Sequence, residues 1–597
     1  MDLYFVKFLW TTFACLDVRN TIALHEKGGA YAESDFRDLV SLERPFVDKT
    51  ELIKEIMSND ARVTLIVQPH RFGKSLTLSM LQYFLDKRKA PPNTTDLFNG
   101  LKISEDRGFC ETYKNRFPVI HFSFRDVNAT DFKTAESAVY SIIQQQFKEH
   151  SYLLTNNSLN FFSSLQVGMI MNGTSSLETV RNGIFSLCDF LGNVKKLIKE
   201  NIAVILLVDD YDTPLRAAYM NNYLPEMSRL LSNVLSCLTT SPFVKKGIIT
   251  GLYSISSGDI FPKRSTKIIS VFNDQKIPYF GFTAPEVKNL LQGISSNVGM
   301  KDLGEWYGLD SPVTKYNPWS VLCCLANKGA LAPYWVRSSD SRLVSNLLSL
   351  IGVSEAVSLI YLVQGGIIEK SVHRSVRFEA LTSEAEYFWT VLVHGGYLSA
   401  NFVKEDSSRK IYSLVIPNFE IKNEINHWCR TRLSEAVRKT TGKLAEFVKN
   451  TMHGEVEKIM DFLLECMQKT GIYYNFENPA HLGRYYTYYT ALFTPLRDYY
   501  KITESQTEKN VNMRRRRCYS FVLEPKNYST VGIIMEIEGA NISTDMKKTA
   551  EMVLKRMKND ELSPHILTVC GKVLAIGMAF YRQNFEFSYD LIGAQVL

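Results

Sequence analysis

The chain has 597 residues, enough for about two to four domains of ordinary size. Its composition, 45% hydrophobic, 12% aromatic and 22% charged, excludes a collagen-like chain, wholesale disorder and a coiled-coil rod. The formal net charge of +7 is too small to indicate a nucleic-acid or membrane partner by itself, and the ten cysteines contain no C-x-x-C pair that would favour a zinc ribbon.

The first 29 residues are predicted to be an N-terminal extension that contains an ambiguous apolar run. Lys7 precedes a short apolar stretch at residues 8–16, which Asp17 ends. The pattern fits either a weak signal peptide within residues 1–25 or an amphipathic helix, and both remain open. No stretch reaches the roughly 18 apolar residues that an integral membrane span needs. We expect an intracellular, soluble protein, with secretion as the alternative.

Residues 30–285 are predicted to form an α/β domain with a doubly wound parallel sheet. Apolar runs typical of buried parallel strands lie at Val63–Val67, 118–124, 203–208 and 247–251. Helical stretches separate these runs, and a helix is predicted over 76–85, directly after the first strand. Because ligands of such sheets bind outside the carboxyl ends of the strands, we expect a site there.

The end of a Walker A phosphate-binding loop lies between the first strand and its helix. Gly73, Lys74 and Ser75 offer backbone N–H groups, a cation for the terminal phosphates and a hydroxyl for Mg²⁺. The match is partial, because Gln68 stands where the first glycine of the motif would be. The third strand runs into Asp209, which is typical of the Walker B aspartate that coordinates Mg²⁺. The alternative is a chance Gly-Lys-Ser, but the two linked signals predict a site for ATP and magnesium.

Residues 286–445 are predicted to be a helical region, and residues 446–597 a separate α+β domain. In the helical region, a helix over 387–393, two glycines and a short strand over 412–416 suggest a winged-helix-like unit. The predicted elements of the last domain are a helix over 455–467, strands over 518–523 and 532–537, and a helix over 545–558.

Five ordered motifs resemble those of the AAA-ATPase-like family that is often fused to a C-terminal PD-(D/E)XK nuclease-like domain. They are Phe-Val-Asp-Lys-Thr from Phe46, Arg-Phe-Gly-Lys-Ser from Arg71, Val-Asp-Asp-Tyr-Asp-Thr-Pro from Val208, Tyr-Asn-Pro-Trp-Ser from Tyr316 and Pro-Tyr-Trp-Val from Pro333. The resemblance covers roughly residues 30–597. It implies a P-loop NTPase fold, an ATP site that includes Arg71, and a C-terminal domain of the restriction-endonuclease type. The family's own loop likewise lacks the first Walker glycine.

The chain departs from the family pattern at three positions around the predicted ATP site. Asp210 stands where the family has a glutamate, which shortens the reach toward an attacking water by one methylene. Ser254 and His70 each stand where the family has an arginine. Stabilisation of transition-state charge is a large part of phosphoryl-transfer catalysis. We therefore expect ATP binding with weak or absent hydrolysis, and Asp210 is only a weak catalytic candidate.

The C-terminal domain departs from the family pattern in its metal site. The resemblance places Ser520 at the metal-binding aspartate and Glu538 at the lysine, and it keeps Glu536 as a vestigial catalytic residue. We therefore expect no metal-dependent cleavage. The run Arg514, Arg515, Arg516 and Arg517 is predicted to be a basic loop, which either grips a nucleic-acid backbone or is simply solvated.

Three hypotheses follow from these patterns. The favoured one is a nucleotide-dependent switch or interaction protein, a pseudoenzyme that binds ATP and Mg²⁺ and has an unknown protein partner. The second is an active ATPase coupled to nucleic-acid binding or cleavage. The third is a secreted, non-enzymatic scaffold or effector that keeps only the fold.

Overall fold

The fold is described from a computed structural model of the chain. The residues described are 35–41, 47–89, 96–154, 159–193, 203–256, 261, 265–272, 279–292, 298–310, 315–338, 342–351, 353–363, 365–381, 383–407, 409–428, 443–470, 488–490, 492–511, 514–527, 531–540, 545–559, 570–581 and 584–593. The predicted N-terminal extension lies outside them.

Internal contacts divide the chain into two compact units. The first consists of Met1–Ser345 with Glu369–Ile421, and the second of Asn346–Ile368 with Lys422–Leu597. The helical region predicted for 286–445 is thus shared between the two units, and the domain boundaries drawn from the sequence remain a prediction. Among the described residues, no helix is both long and apolar enough to cross a membrane.

A five-stranded parallel sheet forms the centre of the first unit. Its strands are β1 (Val63–Val67), β2 (Val119–Ser123), β3 (Val204–Asp209), β4 (Val244–Gly251) and β5 (Thr266–Ser270). Their order is β2-β3-β4-β1-β5, and every neighbouring pair is parallel. β1 and β3 are buried along their whole length, as expected of apolar strands that are covered on both faces. The predicted α/β class with a parallel sheet is confirmed.

The strand order decides where a ligand can bind. β4 lies between β1 and β3, which are far apart in sequence. Parallel pairing aligns Val67 with Gly251 and Val208 with Ile249. The segments that follow β1, β3 and β4 therefore meet at one edge of the sheet.

Helices flank this sheet. They are Phe36–Ser41, Glu51–Ser58, Lys74–Leu85, Arg107–Tyr113, Phe132–Glu149, Phe161–Met171, Leu177–Arg181, Gly183–Asn193, Thr213–Met220, Leu224–Val234 and Cys237–Thr240. Helix Lys74–Leu85 packs Leu78 and Phe84 into the same apolar core as Ile66 and Leu207 of the sheet. This packing holds the helix N-terminus at the end of β1.

The rest of the first unit is mainly helical. Its helices are Ala284–Leu291, Met300–Tyr307, Pro318–Ala326, Tyr334–Ser338 and Ala385–His394. β6 (Phe282–Thr283) and β7 (Lys315–Tyr316) form a short antiparallel ribbon. β8 (Ile368–Ser371), β9 (Ser399–Asp406) and β10 (Arg409–Val415) form a sheet in the order β8-β10-β9. A helix followed by an antiparallel hairpin is what a winged-helix-like unit requires, and that assignment stays a prediction.

The second unit contains a mixed five-stranded sheet. Its strands are β11 (Tyr500–Val511), β12 (Arg514–Pro525), β13 (Gly532–Gly539), β14 (Lys572–Tyr581) and β15 (Asn584–Gly593), in that order across the sheet. Only the pair β13 and β14 is parallel among these described strands. Helix Met546–Asn559 lies between them in the chain and packs on β14, where a Cβ at Gly577 would come within 2.6 Å of the Ala550 carbonyl oxygen.

The other described helices lie outside that sheet. Leu444–His453 and Val456–Thr470 precede β11, and a 3₁₀ turn spans Thr494–Asp498. Helix Arg342–Leu350 crosses the boundary between the units, and helix Val353–Val363 belongs to the second unit.

The prediction of a basic loop at Arg514 to Arg517 is wrong for the backbone. All four arginines belong to β12, and Arg514 pairs with Val511 at the end of a long antiparallel hairpin. The reason is that continued strand pairing satisfies the backbone N–H and C=O groups that a loop would leave open. The side chains of the four arginines lie outside the described residues.

Candidate functional site

Residues 68–73 connect β1 to helix Lys74–Leu85. Gly73 caps the helix with a φ of 79°, in the left-handed region that favours glycine. A Cβ there would meet no atom within 4 Å, so the backbone conformation and not a lack of space requires the glycine. Arg71 is also left-handed, with a φ of 63°. Such conformations in non-glycine residues cluster at functional sites.

Lys74 is the first residue of the helix, two positions before the predicted start, and its side chain is buried. Its Nζ donates hydrogen bonds to the carbonyl oxygens of Gln68 and Pro69, both at 2.9 Å. Burial lowers the pKa of the ammonium group, and the carboxylates of Asp210 and Asp209 oppose that shift. The lysine therefore lies across the loop, close to negative charge.

Polar atoms of the loop that are buried without a hydrogen-bond partner among the described residues include both side-chain amide atoms of Gln68 and Nδ1 of His70. The Gln68 side chain is fully buried. Burial lowers the pKa of His70 to about 3, and the positive charges of Lys74 and Arg71 lower it further in the same direction. The imidazole is therefore neutral at pH 7, where the family resemblance would place an arginine.

Two aspartates lie at the same edge of the sheet: Asp209 ends β3, and Asp210 follows it. Asp209 is 4% exposed, and its Oδ1 accepts hydrogen bonds from the Thr250 hydroxyl and from the Asp210 N–H. Ser75 lies beside Asp209, since Nη2 of Arg125 is 2.8 Å from Ser75 Oγ and 3.6 Å from Asp209 Oδ2. Burial, followed by the charge of Asp210, raises the pKa of Asp209. The predicted Walker A serine and Walker B aspartate thus meet in the folded chain.

Arg125 is a residue of this site that the sequence analysis missed. Its Nη2 donates to the Ser75 hydroxyl at 2.8 Å, and its Nε donates to Asp210 Oδ2 at 3.1 Å. The same Nη2 lies 3.6 Å from Asp209 Oδ2. One available signal was that Arg125 is the first charged residue after β2, the strand next to β3.

Asp210 differs from Asp209 in its backbone conformation and in its closer contact with Arg125, at 3.1 Å against 3.6 Å. Its φ is 52°, so the chain turns sharply at this residue after β3. Aspartate tolerates this left-handed conformation better than most residues. Asp210, the weak catalytic candidate, therefore lies at a sharp turn of the backbone, and its carboxylate is paired with Arg125.

Gly251, at the end of β4, lets the segment after Asp210 approach closely. A Cβ at Gly251 would lie 2.7 Å from both Asp212 Oδ1 and Tyr211 Cε1. The hydroxyl of Tyr211, which is fully buried, donates to the Tyr253 carbonyl oxygen at 2.8 Å. The Walker B segment and the segment after β4 therefore pack directly against each other.

Ser254, which stands where the family has an arginine, is only 3% exposed. Its carbonyl oxygen accepts a hydrogen bond from the Val376 N–H at 2.6 Å. An arginine at this position would have to displace packed neighbours. The missing charge is therefore accompanied by packing that suits a small residue.

Both aromatic motifs of the middle region contact the phosphate loop. The guanidinium carbon of Arg71 lies 4.3 Å from the centre of a Trp319 ring, a cation–π contact. The indole N–H of Trp335 donates to the His70 carbonyl oxygen at 2.7 Å. Gly396 leaves room for Pro69, since a Cβ there would lie 2.9 Å from Pro69 Cγ. Residues of the middle region, more than 200 positions later in the chain, thus pack against the loop and stabilise its conformation.

A buried carboxylate links the two aromatic motifs. Glu420 Oε2 accepts a hydrogen bond from the Ser320 hydroxyl at 2.7 Å. Its Oε1 accepts from the N–H groups of Trp335 and Val336, at 2.5 and 3.2 Å. Burial raises the pKa of Glu420 to about 7, although all three hydrogen bonds oppose the shift. The sequence offered no local signal for this role.

The oxygen donors at the sheet edge fit Mg²⁺ bound together with a phosphate. Proteins hold Mg²⁺ in such sites through one or two side-chain oxygens, and waters and phosphate oxygens complete the octahedron. Ser75 and Asp209 supply that pair, and the buried Gln68 amide leaves polar groups of the loop without a protein partner. Within the described residues, no three His, Cys, Asp or Glu side chains come together as a metal centre made of protein alone.

In the second unit, the residues that the family resemblance places at a metal site lie together, and an arginine bridges two of them. Ser520 of β12 stands opposite Glu536 of β13 in the antiparallel register. Arg556, from helix Met546–Asn559, donates from Nη2 to Glu536 at 3.2 Å and from Nη1 to Glu538 at 2.9 Å. The fit to Mg²⁺ is poor, because the family resemblance expects an aspartate where the chain has Ser520 and a lysine where it has Glu538. Arg556 also escaped the sequence analysis.

Comparison with known proteins bears mainly on the first unit. Residues 30–261 match the model of the AAA-ATPase-like family, described as predicted AAA-ATPase. No curated protein sequence matches the chain. The predicted nuclease-like domain is not confirmed by these comparisons.

Two solved structures from Aeropyrum pernix resemble the chain distantly. The ORC1 protein in complex with DNA is 11% identical, with a TM-score of 0.24, over 66% of this chain and 96% of that one. The ORC2 protein in its ADPNP-ADP complexes is 12% identical, with a TM-score of 0.27, over 65% of this chain and 94% of that one. At TM-scores this low, no functional residue of either structure can be matched to a residue of this chain. The family match therefore covers residues 30–261, less than half of the chain, and is to an AAA-ATPase-like domain.

Proposed function

We propose that the first unit binds ATP with Mg²⁺ at the carboxyl edge of its parallel sheet. The observation that carries this proposal is that Ser75, at the start of the helix after β1, lies beside Asp209 at the end of β3, with Lys74 next to Ser75 in the same helix. The match of residues 30–261 to an AAA-ATPase-like family supports it.

Each residue has a distinct role in this proposal. Lys74 leaves the loop carbonyls and pairs with the terminal phosphates, while the N–H groups of the first helical turn bind phosphate oxygens. Ser75 and Asp209 hold the Mg²⁺, which neutralises phosphate charge. Arg71, stacked on Trp319, adds positive charge to the loop.

We also propose that hydrolysis is slow and that the protein acts as a nucleotide-dependent switch or interaction protein with a protein partner. Three observations support slow turnover. Asp210 is paired with Arg125, His70 is neutral, and Ser254 is a buried serine without charge. The neutral histidine and the buried serine lower the positive charge that phosphoryl transfer needs, and the ion pair with Arg125 competes with any contact between Asp210 and an attacking water.

Titration of the full chain with fluorescently labelled ATP, with and without Mg²⁺, tests the site. Lys74→Ala should weaken binding about 10- to 100-fold, because it removes a charged hydrogen bond to phosphate. Lys246→Ala is the matched control, since Lys246 is also buried and also bonds backbone carbonyls, those of Ile56 and Asn59. It lies toward the opposite end of β4 and should leave the affinity unchanged. Equal affinity in the wild type and Lys74→Ala would reject the site.

Phosphate release by the same preparations separates the favoured function from the alternatives. Binding with little release supports the switch. Release at several turnovers per second, within the ordinary range of enzymes, would support an active ATPase instead. Failure to bind ATP, together with a mature N-terminus near residues 15–25, would support the secreted scaffold.

For the second unit we propose a nuclease-like fold without nuclease activity. The support is a β11-β12-β13 antiparallel meander, followed by a helix and the parallel strand β14. The apolar residues that make this sheet remain, whereas the residues for metal chemistry have changed to Ser520 and Glu538. Arg556, which neutralises both glutamates, supports the same conclusion.

Incubation of the chain with single- and double-stranded DNA and RNA, with Mg²⁺ or Mn²⁺, tests this second proposal. The substrates should stay intact, and cutting that disappears in Glu536→Ala would overturn it. Nucleic-acid binding through Arg514 to Arg517 is a separate proposal that rests on their charge. It predicts salt-sensitive binding that weakens when the four arginines are replaced by glutamine.

A further inference from the structure

Arg125 stands at the centre of the proposed nucleotide site. Its backbone is fixed on both sides: the Phe124 N–H donates to the Asp209 carbonyl oxygen, and the Arg125 N–H donates to the Ser123 hydroxyl. Parallel pairing places Ser123 directly opposite Asp209. The pairing of β2 with β3 therefore places Arg125 at the site.

Its guanidinium contacts both proposed metal ligands, Ser75 and Asp209, and also the neighbouring Asp210. Those contacts are 2.8 Å to Ser75 Oγ, 3.1 Å to Asp210 Oδ2 and 3.6 Å to Asp209 Oδ2. A guanidinium cannot lose its proton in proteins, so it is a permanent positive charge among these oxygens. A cation tethered at this position competes with any free cation for the same ligands.

The charges at the site explain why such a competitor is needed. Two adjacent carboxylates repel each other when nothing lies between them, and Asp209 is almost fully buried. Arg125 relieves this repulsion without a metal. Its side chain is nevertheless 56% exposed, so it has room to leave. Planar guanidinium groups bind phosphate as readily as carboxylate.

We propose that Arg125 is a positioning residue that exchanges between the acidic pair and the phosphates of the nucleotide. It makes Mg²⁺ binding dependent on nucleotide: without nucleotide the arginine holds the metal ligands, and with nucleotide it moves to phosphate and releases them. This inference rests on the proposed function, because it takes the ligand to be a nucleotide phosphate. The sequence analysis assigned no role to Arg125.

Mn²⁺ binding to the full chain without nucleotide, measured by electron paramagnetic resonance, tests the competition directly. The wild type should bind Mn²⁺ weakly at this site, and Arg125→Ala should bind it roughly tenfold tighter or more, the scale of one lost charged contact. Adding Asp209→Asn to Arg125→Ala should abolish the gain. Arg181→Ala is the matched control, because Arg181 also pairs with a carboxylate, Glu136, in the same unit.

A second measurement concerns the nucleotide. In Arg125→Ala the unneutralised carboxylates repel phosphate, so omitting Mg²⁺ should weaken ATP binding at least tenfold more than it does in the wild type. Unchanged Mn²⁺ affinity in Arg125→Ala, or a gain that survives Asp209→Asn, would overturn the proposal. The Mn²⁺ titration contains no nucleotide, so a failure of ATP binding alone would leave its result intact and would count only against the proposed function.

Discussion

Replacing Glu420 with glutamine should change how the stability of the first unit depends on pH. The side chain is buried and holds Ser320 to the backbone of Trp335 and Val336. Burial raises its pKa from 4.5 to about 7. A glutamine has the same shape, accepts the same two N–H groups and donates to the serine hydroxyl, so it keeps every contact without the charge.

The direction of the pKa shift determines whether stability rises or falls with pH. Between pH 4.5 and 7 the folded chain keeps the proton of Glu420 while the unfolded chain loses it. Stability is therefore greatest below this window and falls as pH rises through it. A pKa shift of this size changes the free energy of unfolding by about 3 kcal/mol in total. About 2 to 3 kcal/mol of this change occurs between pH 5 and pH 8. Glu420→Gln should lack this loss and be the more stable protein at pH 8.

Urea unfolding followed by tryptophan fluorescence at pH 5, 6, 7 and 8 measures the effect. Four of the five tryptophans among the described residues belong to the first unit, so the signal reports mainly on its unfolding. Glu384→Gln is the control for the loss of one negative charge, since Glu384 is 45% exposed and pairs with Arg377 on the surface of the same unit. A constant difference between Glu420→Gln and the wild type across this pH range would refute the reasoning.

Three other changes test the packing and the charges at both sites. Gly577→Ala places a Cβ 2.6 Å from the Ala550 carbonyl oxygen and should lower the free energy of unfolding of the second unit by about 1 to 3 kcal/mol. Circular dichroism in urea measures this, and Gly593→Ala, where a Cβ meets no atom within 4 Å, is the control. Asp210→Glu should raise phosphate release without tightening ATP binding; release equal to that of the wild type would mean that the missing methylene does not limit turnover. Arg556→Ala leaves two carboxylates without their cation and should cost the second unit about 2 kcal/mol, with partial recovery in Arg556→Lys; an unchanged urea midpoint would contradict the ion pair.

Local sequence was sufficient for four of the five strands of the central sheet and for the phosphate loop, whereas β5 was not predicted. The run Val63–Val67 is apolar throughout, and such runs form buried parallel strands whatever lies elsewhere in the chain. Gly73 and Lys74 were identified because the Gly-Lys-Ser end of the Walker A motif is contiguous in sequence and lies between an apolar strand and a helical stretch. The charge of Arg514 to Arg517 indicates a loop, but these residues belong to a long hairpin. The pairing of β12 with β11 that forms this hairpin is visible only in the structure.

Only the tertiary structure decided which residues meet. Strand order brings Arg125, after β2, to Ser75 and Asp209, although three separate stretches of sequence supply them. Glu420 joins two aromatic motifs across a long separation, and no local pattern encodes a buried contact of that kind. The sequence by itself determined the elements, because secondary structure follows from neighbouring side chains. The partners of each charge were set by packing, because burial and sheet order bring together residues that are distant along the chain.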